Sequence, residues 1–240
     1  MLPDTTTIGS IVAHDFRAAA VFDRHGIDFC CGGHRLVSDA CRERGVAPGT
    51  LEAELEAALA QAGADVPRFN DWDLNVLTGY IVANHHGYVR RAIDTLRART
   101  RKLVEVHGER HPELLAIADR FEALAADLGG HMAREEQVLF PYVDGLVGAE
   151  RGGAMPSAHF GTVANPVRVM QADHEAAGAA MAAIRVLADG YAPPADACTT
   201  YTVTYQELQA FEADLHRHVH LENNILFPKA LALERRVTGA

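Results

Sequence analysis

The sequence predicts an all-α protein: a small N-terminal three-helix domain followed by an up-down-up-down four-helix bundle. Three observations point there. Four long stretches, about 73–107, 112–148, 166–189 and 199–235, carry apolar residues at alternating spacings of three and four. The breaking residues fall between those stretches: Gly108, then Gly148, Gly152 and Gly153, then Gly190, Pro193 and Pro194. No segment carries a strand alternation strong enough to compete.

Taken in order, Thr7 to His25 reads as one helix stopped by Gly26, and His34 to Arg44 as a second stopped by Gly45. Thr50 is placed to cap a third, LEAELEAALAQAG. Residues 1–64 therefore form the small domain. The segment Gly63 to Asp71 is rich in turn formers without helical period, so 65–72 is assigned as linker and 73–240 as the bundle.

Composition narrows the function. With 22 Lys plus Arg against 32 Asp plus Glu, the net charge of −10 repels phosphate backbones and anionic lipid, which argues against nucleic-acid and membrane-surface roles. No signal peptide is legible, no apolar run approaches spanning length, and four cysteines make no disulfide framework, so a cytoplasmic protein is expected. Histidine stands out, with 13 residues against 6 Tyr and 1 Trp. That number asks for metal.

The apolar stripes hold the answer. On the second long helix the stripe runs Leu114, Ile117, Phe121, Leu124, Leu128, His131, Glu135, Val138 and Tyr142; on the fourth it runs Leu208, Phe211, Leu215, His218, Glu222 and Ile225. A histidine and a glutamate one turn apart sit on each buried seam. The first helix gives Leu74, Leu77, Ile81, His85, Tyr88, Ala92 and Leu96, and the third Val167, Met170, His174, Ala177, Met181 and Ile184. His86 is rotated about 100° from His85 and is placed on the flank; His216 and His220 also lie off the seam.

The chain repeats itself. His131-x3-Glu135-x3-Leu139-Phe140-Pro141 recurs as His218-x3-Glu222-x3-Leu226-Phe227-Pro228, 87 residues later, while His85 and His174 are 89 apart. Each proline should kink or end its helix. Two buried carboxylates cost several kcal/mol each unless paired with positive charge or metal, and the stripes offer no Lys or Arg. Any one of these histidines taken alone fits a hydrogen-bonded core residue; four in phase with two glutamates fit cations. Six ligands suggest two ions, with both glutamates bridging and positions left for an oxo or hydroxo bridge. Nitrogen and carboxylate donors without thiolate favour iron, with manganese and zinc behind it. Asp127 and Asp214, one turn before His131 and His218, are either acceptors that orient the ligand imidazoles or solvated rim charges.

These residues resemble a known family. The stretch from Thr7 to Gly33, with DFCCGG at Asp28–Gly33, is similar to the ScdA-type N-terminal domain, and the bundle resembles a hemerythrin-like domain. The specific pieces there are HMAREEQVLFP (His131–Pro141), QADHEAAG (Gln171–Gly178) and HVHLENNILFP (His218–Pro228). Together, over nearly the whole chain, they resemble the repair of iron centres family. The resemblance implies a non-haem di-iron centre on His85, His131, Glu135, His174, His218 and Glu222, and a role in restoring iron-sulfur clusters damaged by nitric oxide or peroxide. It also implies damaged iron-sulfur proteins as clients, nitric oxide or oxygen as small ligands, and an open question of homodimerisation. Where relatives carry an acidic residue before the third-helix histidine, this chain has the short Asp173.

Three readings stay open for the vicinal Cys30 and Cys31: a thiol pair that handles iron or nitrosyl groups, buried structural cysteines, or a zinc site completed by His34 or Cys41. Cys41 and Cys198 are read as core residues. For the whole protein, cluster repair leads. Behind it stand a sensor of oxygen, nitric oxide or iron, and a reductase of nitrogen oxides or peroxide at the metals.

Overall fold

The computed structural model describes residues 3, 5–60 and 67–239. The boundary expected at residue 64 lies outside the described residues, as do the first two residues of the expected linker.

The N-terminal part is helical, and its first expected helix is broken. α1 (Ile8–His14) ends at Asp15, whose backbone is extended at φ −152° and whose side chain accepts from the Arg17 N–H to start a 3-10 turn (Phe16–Ala18). α2 (Ala19–Arg24) follows directly. An aspartate that caps the next turn ends one helix and begins another without glycine or proline, so the break carries no punctuation a periodicity reading detects. α3 (Val37–Arg44) stops at Gly45, which adopts a left-handed φ of 65°. α4 (Pro48–Ala60) begins at Pro48, two residues before the expected cap. Thr7 and Leu36 form an isolated antiparallel bridge that ties the starts of α1 and α3 together.

The bundle has four rods, three of them interrupted by π-helix. α5 (Leu74–Tyr80) passes through a π segment (Ile81–His86) into α6 (Gly87–His107). α7 (Glu113–Arg134) passes through Glu135–Leu139 into α8 (Phe140–Glu150). α9 (Ala164–Leu187) is uninterrupted. α10 (Thr199–Leu221) passes through Glu222–Leu226 into α11 (Phe227–Thr238). Pro141 and Pro228 therefore neither end nor break their rods. A proline cannot donate to the i−4 carbonyl and crowds it, and the wider π turn before each one relieves both problems.

The apolar core comes in two blocks. One joins α1–α4 to α6, the length of α7, the end of α9 and most of α10; the other gathers α5, α8, the start of α9 and α11. On every rod the site residues fall at the junction of the two blocks, so the polar layer is sandwiched between two dry ones. The N-terminal part packs on the bundle through Phe16 and Phe29, whose rings meet His220 at 5.6 and 6.0 Å, with Phe29 also edge-on to His216 at 6.1 Å. The two off-seam histidines are thus the docking face for the small domain. Cys41 is fully buried, but Cys198 is exposed at the start of α10, its Sγ 3.3 Å from His107 Nε2, and so is not the core residue expected. No helix among the described residues is long and apolar enough to cross a membrane.

Away from the metal layer, Glu234 accepts from Tyr142 Oη at 2.7 Å, from the Val163 N–H at 2.9 Å and from Thr162 Oγ1. Burial pushes its carboxyl up, but the donors from Thr162, Tyr142 and Val163 win and hold it below its ordinary 4.5. Glu234→Gln is expected to destabilise the metal-free protein by about 1–3 kcal/mol at pH 7 in urea titrations. Because the folded value is depressed, the margin is complete above about 4.5 and disappears as the pH falls through the lower folded value.

Candidate metal centre

Sequence periodicity brings five of the six expected ligands to one place. His131, Glu135, His174 and Glu222 offer donor atoms that all lie within 4.8 Å of one another, and all four residues are buried. A second group with the same spacing consists of His86, Glu135, His218 and Glu222. The two groups share both glutamates. Each therefore presents two imidazoles of its own and two carboxylates in common, which is the donor arrangement of two neighbouring cations bridged by carboxylates.

The correction concerns the first rod. His86, expected on the flank, is fully buried with its Nε2 3.3 Å from Glu135 Oε2. His85 is buried too, but it stands outside both groups: its Nδ1 meets Asp214 Oδ1 at 2.9 Å and its ring stacks on that of His218 at 5.6 Å, 8° from parallel. The cause is the π segment Ile81–His86. A π turn takes in one more residue than an α turn, so the inward position after Ile81 falls five residues on, at His86. Beyond it the buried positions are Val89, Ile93, Leu96, Thr100 and Leu103, one step out of phase with the expected Tyr88 and Ala92.

The outer nitrogens are held by surface-reaching partners. His131 Nδ1 meets Asp173 Oδ2 at 3.2 Å, and Arg134 bonds the same oxygen at 2.7 Å. His86 Nδ1 meets Glu136 Oε1 at 2.7 Å, again shared with an arginine, Arg90. His174 Nδ1 meets Asn223 Oδ1 at 2.9 Å. Short Asp173 does reach an imidazole. Asp214 holds His85, which belongs to neither donor group, and Asp127 is exposed on the rim of a cleft, so neither orients a member of the groups as expected. Glu136 and Asn223 lie outside the predicted stripes because each is adjacent in sequence to a glutamate of the seam and off its face.

Towards the centre the polar atoms lack partners. Both oxygens of Glu135 and of Glu222, and Nε2 of His86 and of His218, are buried without a hydrogen bond that satisfies them. Native interiors satisfy nearly all such groups, and a concentrated set of orphans facing one another fits metal ligands. Protons take up part of the charge in the bare site. Burial pushes His131 down, but the charge of Glu135 3.3 Å away, that of Glu222 and the contact with Asp173 outweigh this and raise it to about 9. Burial likewise pushes Glu222 up, and His218 and His174 overcome it to hold the carboxyl well below its usual range. Cation binding must displace such protons.

Two features border the centre. A cleft of about 440 Å³ between α7 and α9 is lined by His131, His174, Asp173, Arg134 and Asp127. The thiol turn of the small domain lies beside the same histidine: Cys31 Sγ is 3.5 Å from the His174 carbonyl and 4.0 Å from Cys30 Sγ. Asp28 accepts the backbone N–H groups of Cys30, Cys31 and Gly32 at 2.9–3.0 Å, which makes the turn. Cys30 is buried and Cys31 half-exposed; the hydrogen bond between the thiols and burial push the Cys30 thiol well above its usual value. The third donor of that cluster is Asp28, rather than the His34 or Cys41 weighed for a zinc site.

Comparison with known proteins agrees with this geometry. Residues 79–230 match the Hemerythrin HHE cation binding domain, and residues 4–59 match ScdA_N, described as a domain of unknown function (DUF542). The chain is 33% identical over 229 residues to the iron-sulfur cluster repair protein YtfE of Musicola paradisiaca (strain Ech703), covering 94% of this chain and 96% of that one. It is 31% identical over 228 residues to the protein of the same name in Yersinia pestis (strain Pestoides F), with the same coverage. With a donor set suited to cations in a helical bundle, and with these matches spanning nearly all of the chain, the chain belongs to the hemerythrin HHE cation-binding family and, within it, to the YtfE-like repair of iron centres proteins.

Proposed function

We propose that this chain is a di-iron protein that repairs iron-sulfur clusters damaged by nitrosative or oxidative stress. One iron would be held by His131 and His174 and the other by His86 and His218, with Glu135 and Glu222 shared between the two sites. The observation that carries this reading is the pair of four-residue donor groups that share both glutamates. Nitrogen and carboxylate donors without thiolate suit iron over softer choices. When bound, the iron pair supplies exchangeable iron or sites for nitric oxide or oxygen.

The chain's own residues do the rest. Asp173, Glu136 and Asn223 accept from the outer imidazole nitrogens and so aim the other nitrogens inward. The apolar blocks on either side exclude water from the carboxylates. The cleft past Asp173 and Arg134 is the open route to His131 and His174. Cys30 and Cys31, against the same edge, are placed to take a soft species leaving that side. Clients are damaged iron-sulfur proteins, in line with what the relatives' names state.

The test is recovery of a nitric-oxide-damaged cluster enzyme, with cysteine and a sulfide source supplied. Iron-loaded wild-type protein is expected to restore activity in proportion to iron delivered, and Cys30→Ala with Cys31→Ala to slow the recovery. Multiple turnovers of nitric oxide with an electron donor, and no recovery, would replace repair by reduction.

A further inference from the structure

We infer that Asn223 is a positioning residue through which the small domain decides which nitrogen of His174 carries the proton, leaving the metal-facing one free; this rests on the di-iron reading above. Hydrogen-bond direction fixes the arrangement. The carbonyl of Cys30 can only accept, and Asn223 Nδ2 donates to it at 3.4 Å. That contact turns the amide nitrogen towards the thiol turn and the amide oxygen inward, 2.9 Å from His174 Nδ1. An amide oxygen also only accepts, so Nδ1 must carry the proton and Nε2 keeps its lone pair. That Nε2 lies 3.0 Å from Glu222 Oε2 and 3.1 Å from His131 Nε2, where a cation belongs. With the amide flipped, its nitrogen would face Nδ1 and drive the proton onto the metal-facing nitrogen.

The other ligands need no such decision from outside. His131 and His86 are oriented by carboxylates, Asp173 and Glu136, which accept in either rotation, and His218 Nδ1 has no partner among the described residues. Only His174 depends on a neutral amide whose orientation is chosen by another part of the chain. The approach is made possible by glycine. Asn224, the next residue, donates to the Phe29 carbonyl at 3.0 Å, and a Cβ on Gly33 would lie 2.3 Å from Asn224 Oδ1 and 2.7 Å from the Phe29 carbonyl. Alanine at Gly33 must therefore displace the Asn224 side chain, which holds the thiol turn to the π segment through the Phe29 carbonyl, and shift the turn itself. The turn that holds Cys30 and Cys31 and the ligand His174 become one mechanical unit, so displacement of the thiols loosens one side of the iron pair.

The test uses the iron-loaded full chain and a ferrous chelator, with release followed by absorbance and helix content by circular dichroism. Asn223→Ala is expected to release iron about 10–100-fold faster, and Gly33→Ala to speed release in the same direction with helix content unchanged. Asn223→Asp keeps an acceptor for Nδ1–H in any rotation and is expected to release iron near the wild-type rate. Combined with Gly33→Ala it should restore slow release while Cys31 still reacts faster with a disulfide reagent, Ellman's reagent, than in wild type. A general structural lesion at Gly33 would not be rescued in that way. Wild-type release from Asn223→Ala, or no rescue of Gly33→Ala by Asn223→Asp, overturns the inference and leaves the di-iron reading standing. Wild-type protein that takes up no iron pair removes both.

Discussion

Glu222→Ala is expected to strip both irons from the purified protein, whereas His218→Ala leaves one side of the centre with its full set. The difference follows from sharing. Glu222 is a member of both donor groups, 3.0 Å from His174 and 3.2 Å from His218, while His218 belongs to one. Elemental analysis after purification reads the difference directly. The effect on stability should grow with loading. In the bare protein Glu222 is a fully buried carboxylate with both oxygens unsatisfied. Its carboxyl is nevertheless held well below its usual range by His218 and His174, so removing it breaks a buried pair from one side, a loss of about 3–5 kcal/mol. In the presence of iron the wild type gains what binding gives the folded state, about 2.7 kcal/mol at a hundredfold excess over the dissociation constant. Iron should therefore raise the wild-type unfolding midpoint and leave that of Glu222→Ala unmoved. Full iron retention by the variant would remove the bridging role.

How much of this was legible in the sequence depends on where the helices keep their period. The third rod is α-helical throughout, and every position of its predicted stripe, Val167 to Ile184, is buried. On the second and fourth rods the π segments begin at Glu135 and Glu222, so the stripe is in phase up to the glutamates and the His-x3-Glu pairs read correctly; only beyond, where Leu139 replaces the predicted Val138, does it slip. On the first rod the interruption precedes the histidine and costs the assignment. The information was present all the same: traced backwards from Leu103 through Thr100, Leu96, Ile93 and Val89, steps of three and four land on His86. A periodicity read from the N-terminal side alone lands on His85. The docking of Phe16 and Phe29 on His216 and His220, and the reach of Asn223 to Cys30, join residues about 200 positions apart, and no local pattern encodes which faces meet. Cys198 was misplaced for a simpler reason, since free cysteine is buried more often than not, and here the helix start holds it at the surface beside His107.

The two adjacent histidines give the second large effect, because they separate metal binding from packing within one dipeptide. His86→Ala removes the only imidazole that the first rod contributes to a donor group, and with it one of two nitrogen ligands for that iron. Iron should fall from two per chain to about one, with an affinity loss at that position larger than the roughly 10–100-fold typical of an outer hydrogen-bond partner. His85→Ala leaves both groups complete, so two irons should remain. Its cost is structural: the ring stacked on His218 is lost, Asp214 is left without its imidazole, and a cavity opens between them. Truncating a packed side chain and orphaning a half-buried carboxylate together predict about 2–4 kcal/mol of destabilisation, measurable by urea unfolding of the metal-free forms. His86→Ala should cost a comparable amount there, because it also truncates a fully buried ring and takes the imidazole from Glu136. The two variants thus part on iron, which His86→Ala loses and His85→Ala keeps, at similar metal-free stability. The reverse ordering for iron would mean that the π segment does not set the ligand phase, and that an α-helical first rod with His85 turned inward holds the metal instead.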